Sequence, residues 1–387
     1  MNLDFEIAMT EHVLKLVEAR TSDLAPATYD IPVEVYVDSG YARREREALF
    51  RSTPLLAALS CELREPGDFK AVTLAGTPLL LMRDQDGQAG AFFNACRHRG
   101  MKLAEGRGTG EKMTCPYHAW SYSTKGELVG VPRGPQSFTG MCREDRGLVT
   151  VPSVERHGMI WVRLDAGGGP IDIDAFLGDF GPEMAGWRMD SWHFADSREH
   201  HARANWKLAV EGYCENYHVE FLHKGTLDQI AKSIGCYHTG FGDHQRMVFP
   251  NHPIDVLRDL PKADWKPLET GAISFIYHLF PGTIFALFFD HYEVFQIVPG
   301  PTADTSVTIQ NFYTPAPVPD QEREALFARF DFIYNLLRRE DYWAVQQTQQ
   351  TLATGANQTL IFGRQEIALH HMHDAFERRL SVAGEPR

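Results

Sequence analysis

Two short segments, Cys96-Arg97-His98 and Cys115-Pro116-Tyr117-His118, each offer one thiol and one imidazole, and they constrain this chain more than any other feature. Four such donors act together only if two loops are held side by side. A zinc ion accepts this donor set, but zinc fingers of the same composition place both thiols in one arm and both imidazoles in the other. Here each arm supplies one of each, as in a [2Fe-2S] centre whose thiolates hold one iron and whose neutral imidazoles hold the other. Exchanging thiolate for imidazole removes negative charge and raises the reduction potential, so the chain reads first as a redox protein. Gly100 and Pro116 predict tight loops at hairpin tips rather than helix.

The segments NACRHRGMKL and TCPYHAWSYSTKGELVGVP around these donors, with VYVDSGYARREREALFRST before them and NWKLAVEGYCENYHVEFLH after, cover much of the chain. Through them the sequence resembles the Rieske non-haem iron oxygenases, specifically the large (alpha) subunit family of aromatic-ring-hydroxylating dioxygenases. The resemblance implies a Rieske [2Fe-2S] cluster on Cys96, His98, Cys115 and His118, and a mononuclear Fe(II) on His218 and His223. It aligns Asp341, in RREDYWAVQQTQQ, with the carboxylate ligand, Glu340 being the adjacent fallback. Glu215 falls where the family carries an acidic bridge between a cluster histidine of a neighbouring subunit and an iron histidine; Asp is the commoner residue there. Glu211, one turn earlier, is a weaker candidate for supporting the site. The same resemblance implies a homotrimer, with or without a small beta subunit, and electrons from an external ferredoxin or flavin-dependent reductase.

A length of 387 residues with 43 % hydrophobic content is comfortable for two globular domains. The expected class is α+β: an N-terminal antiparallel β Rieske domain followed by a helix-grip-like α+β catalytic domain. The expected division is a helical segment over 1–45, the Rieske [2Fe-2S] domain over 46–165 and the iron domain over 170–387, with Gly167-Gly168-Gly169-Pro170 as the linker. Strand-like runs such as AVTLAGTPLLLMRD and GMIWVRLD fill the first domain. In the second, Asn205 is expected to cap a helix running through WKLAVEGYCENYHVEFLH, and Asp320 a long amphipathic helix, with another in RQEIALHHMHDAFERRL. Between these, strands are expected in AISFIYHLF, TIFALFFDHYEVFQIVP and VTIQNFYTP.

On an ideal helix a five-residue spacing turns side chains about 140° apart, so His218 and His223 share a metal only if the helix is distorted between them. Residues 340 and 341 on one helix would point about 100° apart. His370, His371 and His373 lie in a charged amphipathic helix and read as ordinary histidines. Phe285, Phe288, Phe289, Tyr292 and Phe295 are either core or the wall of a substrate cavity.

The net charge of −13 disfavours nucleic acid and anionic membrane surfaces. The N-terminus has no basic region ahead of an apolar one, and no apolar run is long enough to span a bilayer, so a cytoplasmic protein is expected. No dinucleotide fingerprint is visible, hence the external reductase. The expected activity is that of a terminal oxygenase hydroxylating an aromatic or related small molecule with O2. The alternatives are a monooxygenase or demethylase of a methoxyarene or methylated (quaternary) amine, and, from another class, a non-catalytic Rieske electron carrier.

Overall fold

The computed structural model describes residues 2–165 and 169–383, so Gly167 and Gly168 of the expected linker lie outside the described residues. The chain forms two compact units. One comprises residues 50–176 with 188–191, and the other residues 1–49, 177–187 and 192–387. The N-terminal segment thus belongs to the same unit as the C-terminal half.

The strands of the first unit pair antiparallel throughout. Asp68–Leu74, Thr77–Arg83 and Ala89–Phe93 are the middle strands of a five-stranded sheet, and a three-stranded hairpin sheet runs through Lys112–Thr114, Ser121–Ser123 and Leu128–Gly130. Leu80, Met82, Phe92, Met113, Trp120, Tyr122 and Leu128 pack between them in one buried cluster that also takes in Cys96 and Cys115.

The second unit is built on a seven-stranded antiparallel sheet of β1 (His193–Ala202), β2 (Tyr237–Phe241), β3 (His244–Pro250), β4 (Ile273–Leu279), β5 (Thr283–Leu287), β6 (Tyr292–Pro299) and β7 (Ser306–Thr314). The strand order is β1-β7-β6-β5-β4-β3-β2. Its helices include α1 (Leu3–Glu18), α2 (Glu34–Val37), α3 (Trp206–Glu211), α4 (Val219–Leu222), α5 (Asp320–Arg339), α6 (Asp341–Leu352) and α7 (Ile367–Ala383). The expected single strand over TIFALFFDHYEVFQIVP is a hairpin, β5 and β6, turning at residues 288–291.

That hairpin divides the aromatic run between two faces, because neighbours along a strand point to opposite sides. Phe285 and Tyr292 share the face covered by Trp187, Trp192 and α1, with Phe285 5.4 Å from Trp187 and Tyr292 4.0 Å from Trp192. Phe295 lies on the other face, 4.7 Å from Tyr213 just after α3. Phe288 stacks on His291 at the turn and Phe289 is exposed. On the Phe295 face, Phe312 stacks on Phe330 of α5, and Thr308 accepts a hydrogen bond from Tyr342 of α6 at 2.6 Å.

A neutral polar relay crosses this sheet. His238 Nε2 donates to Gln245 Oε1 at 2.9 Å, Gln245 Nε2 donates to His278 Nδ1 at 3.3 Å, and His278 Nε2 donates to the Pro281 carbonyl at 2.9 Å. Burial drives the pKa of His238 down to about 4 and that of His278 down to about 3. Both are depressed, so between these values and about 6.5 the unfolded chain binds more protons, and stability falls as pH falls. The expected loss from pH 7 to pH 5 is about 2 kcal/mol per histidine, read from urea denaturation followed by tryptophan fluorescence. Equal midpoints at the two pH values would show that neither buried imidazole controls acid stability.

Candidate metal centres

The two cysteine loops are built alike. Cys96 N donates to Met101 O and Cys115 N donates to Trp120 O, both at 2.8 Å, so each loop closes five residues after its cysteine. In both, the fourth residue after the cysteine is left-handed: Gly100 at φ 76° and Ala119 at φ 56°. The first is the conformation glycine takes freely, and the second costs an alanine about 1–2 kcal/mol. The result places both thiols inside and both imidazoles at the rim: Cys96 and Cys115 are buried and free, whereas His98 and His118 are half-buried with ring centroids 4.6 Å apart.

Three observations fit these residues to a [2Fe-2S] group. Neither thiol is spent in a disulfide, His98 Nδ1 is buried without a hydrogen-bond partner, and burial with His118 and Arg99 nearby lowers the His98 pKa toward the neutral ligand form. Trp120 stacks on His98 at 4.9 Å and fixes its ring. Tyr122 Oη accepts from Arg97 N at 2.9 Å and lies 3.3 Å from Cys96 Sγ, so toward a thiolate it is the donor. Such a bond favours the more negative, reduced cluster. Tyr122→Phe is expected to lower the potential by about 60 mV, the equivalent of about 1.4 kcal/mol for one electron. Redox titration of the cluster's visible absorption checks it, and an unchanged or raised potential would refute this role.

The second centre lies on the Phe295 side of the seven-stranded sheet. Asn205 caps α3, as expected, accepting from Lys207 N at 3.0 Å, but the helix ends at Glu211 instead of continuing through His223. Residues 212–218 are non-helical, and α4 is a single turn with His218 before its first residue and His223 after its last. The expected break therefore falls ahead of His218, and the short turn brings the two rings to 5.0 Å.

Asp341 Oδ1 lies 3.6 Å from His218 Nε2 and 3.2 Å from His223 Nε2. These three residues offer ligand atoms all within 4.8 Å of one another, and among the described residues they are the group so disposed for a metal. Asp341 Oδ2 is buried and has no hydrogen-bond partner. Each imidazole is held from behind by a second carboxylate: Glu215 Oε1 accepts from His218 Nδ1, and Glu340 Oε2 from His223 Nδ1 at 2.6 Å. Thr226 also donates to Glu340 Oε2, at 2.8 Å.

Glu340 separates α5 from α6 with φ −109° and ψ −73°, so residues 340 and 341 do not sit on one continuous helix. One aims at Nδ1 and the other at Nε2 of the same imidazole. This role of Glu340 was hidden from sequence, where adjacency on a helix sends the two carboxylates apart. Burial disfavours a charged His218, yet Asp341 and Glu215 outweigh it and raise its pKa to about 10. The same excess of negative charge is what a divalent cation neutralises, and two imidazoles with one carboxylate are the donor set of a non-haem ferrous site.

Other candidates have separate partners. Glu211 Oε1 accepts from Tyr36 Oη at 2.7 Å and from His373 Nε2 at 2.9 Å, His370 Nε2 donates to Gly363 O at 3.0 Å, and His371 packs 5.4 Å from His238.

Comparison with known proteins agrees with this pair of centres. The model of the ring-hydroxylating alpha subunit catalytic domain matches residues 189–382, half of the chain, and the model of the Rieske [2Fe-2S] domain matches residues 53–152. The chain belongs to the ring-hydroxylating alpha subunit family. It therefore carries a Rieske [2Fe-2S] domain and a catalytic domain of the type that binds mononuclear iron. Family relatives include biphenyl 2,3-dioxygenase subunit alpha of Rhodococcus jostii, 31 % identical over 57 % of this chain and 46 % of the relative. Another is the glycine betaine monooxygenase oxygenase subunit of Pseudomonas aeruginosa, 29 % identical over 53 % of this chain and 47 % of the relative. The chain spans about half the length of the curated relatives it matches. In fold it is similar to a quaternary ammonium Rieske monooxygenase solved with L-carnitine, with TM-score 0.74, 23 % identity and coverage of 91 % and 96 % of the two chains. It is likewise similar to naphthalene 1,2-dioxygenase from Rhodococcus sp., with TM-score 0.73, 18 % identity and coverage of 97 % and 99 %. Among the described residues, no helix is long and apolar enough to cross a membrane.

Proposed function

We propose that the chain is the terminal oxygenase component of a multicomponent Rieske system, hydroxylating an aromatic or related small organic substrate with O2. The observation that carries this reading is the presence, in one chain, of the Cys96, His98, Cys115, His118 loops and of His218, His223 and Asp341 converging within 4.8 Å. An electron carrier has no use for the second set.

In this reading the four loop residues hold the cluster, and His218, His223 and Asp341 hold ferrous iron, which supplies the dioxygen chemistry that side chains lack. Glu215 and Glu340 fix the tautomer and the plane of each imidazole, so that Nε2 faces the metal. Glu215 is also our candidate for the link between His218 and a cluster histidine of a neighbouring subunit. That assignment requires a homo-oligomer, a trimer by family resemblance, in which a beta subunit is optional. Electrons come from a ferredoxin or flavin-dependent reductase.

A monooxygenase or oxidative demethylase of a methylated amine or methoxyarene is the second reading, supported by the glycine betaine monooxygenase relative and the quaternary ammonium monooxygenase fold. One experiment separates the two. Iron-loaded protein is reduced without air, then given labelled dioxygen and a panel of arenes, methoxyarenes and methylated amines, with products read by mass spectrometry. Two labelled atoms in one product mean cis-dihydroxylation, and one label or a lost methyl means monooxygenation. Cluster reoxidation without any oxidised product across the panel would sink both.

A further inference from the structure

The iron-site helices are tied together by a residue outside both family-matched segments. Tyr36, in α2, is fully buried. Its hydroxyl donates to Glu211 Oε1 at 2.7 Å, at the last residue of α3, four residues before Glu215. Its carbonyl accepts from Asn205 Nδ2 at 3.2 Å, at the cap of α3, and from Gln349 Nε2 at 3.3 Å, on α6. Asn205 N in turn donates to Gln349 Oε1 at 2.8 Å.

One residue therefore holds both ends of the helix that leads into His218 and His223, and also the helix that begins with Asp341. The same segment supplies Glu45, whose Oε1 pairs with buried Lys207 Nζ at 2.7 Å and whose Oε2 accepts from Trp206 Nε1 at 3.2 Å. Two candidate ligands flank one short turn and a third begins a separate helix, so their separation depends on the register of those elements; Tyr36 adds to the direct bonds of Glu340 with His223 and Thr226 by holding the helix ends themselves. Burial, reinforced by Glu211, raises the Tyr36 pKa, so its hydroxyl stays a donor.

We propose that Tyr36 is a positioning residue for the iron centre, setting the register of α3 against α6 and thereby the distance between Asp341 and the two histidines. This rests on the assignment of those three residues to iron. Tyr36→Phe removes the hydroxyl's bond to Glu211 and its 3.4 Å contact with His373 Nε2, and keeps the ring and the carbonyl. Gln349→Ala cuts the tie to α6 from the other side.

The test uses the full chain with its Rieske cluster in place, titrated with ferrous iron and then probed by electron paramagnetic resonance with nitric oxide as the reporter of iron-site geometry. Both variants are expected to bind iron about 10-fold more weakly, with a shifted or broadened nitric oxide signal and an unaltered signal from the reduced cluster. Wild-type iron affinity and an identical nitric oxide signal in Tyr36→Phe, beside a lowered melting temperature, would make Tyr36 merely structural. If Tyr36→Phe does not fold, the same two readouts on Gln349→Ala decide: wild-type values overturn the proposal. Asp341→Ala keeps the two failures apart, because full iron binding in that variant would overturn the ligand assignment itself, whatever Tyr36 does.

Discussion

His218→Ala is expected to yield a folded protein with an intact Rieske spectrum, little bound iron and no detectable oxidised product. The imidazole is one of three donors meeting within 4.8 Å, and its loss leaves His223 and Asp341 as a two-point site. It also takes the imidazole from the Glu215 carboxylate, which keeps only its backbone donors, Tyr217 N and the N–H of position 218 at 3.1 Å. The effect should exceed the roughly 10–100-fold typical of residues that only support a ligand. Iron analysis, the visible spectrum of the cluster and product assays on one sample check all three parts. Surviving hydroxylation would remove the iron from His218 and overturn the ligand assignment.

The second large effect separates two carboxylates that look alike. Glu215 and Glu340 each accept a proton-bearing Nδ1 from one of the two histidines. If both only orient imidazoles, Glu215→Gln and Glu340→Gln will each weaken iron binding about 10–100-fold and change little else. If Glu215 also links the iron site to the cluster, the variants diverge. Glu340→Gln, saturated with iron, should reoxidise its cluster at the wild-type rate. Glu215→Gln, equally saturated, should hold its cluster reduced when mixed with oxygen and substrate, slowing a single turnover by at least about 10-fold, an increase in barrier of about 1.4 kcal/mol. Stopped-flow absorbance of the cluster reads this directly. Equal rates in the two variants would end the special role of Glu215.

The chemistry of this chain was more legible in its sequence than the scaffolding. Metal ligands are confined to a few residue types at restricted spacings, so the cysteine loops and the two histidines stand out without any knowledge of packing. The β-rich first unit and the α+β second unit followed from runs of apolar and turn residues. What sequence hid was set by tertiary contacts. The helix expected from Asn205 to His223 stops at Glu211, and the break lies ahead of His218 and not between the two histidines; a distortion was foreseen, its place was not. The aromatic run from Phe285 to Phe295 reads as one strand until the hairpin at 288–291 is seen. Glu340 was weighed as a substitute ligand, whereas it holds His223 from behind. Tyr36 lies in the VYVDSGYARREREALFRST segment but nothing there singles it out, since a tyrosine in a short helix acquires its role only through partners 169 to 313 positions away.

The division of the β5–β6 hairpin between two faces gives this family member two separately adjustable alphabets. Positions such as Phe285 and Tyr292 answer to Trp187 and Trp192, and changing them tests whether the sheet holds together. Their alternates, Phe295 among them, answer to Tyr213, which follows the helix leading toward His218 and His223. Neighbouring codons can thus drift under different packing demands, one set answering to Trp187 and Trp192 and the other to Tyr213.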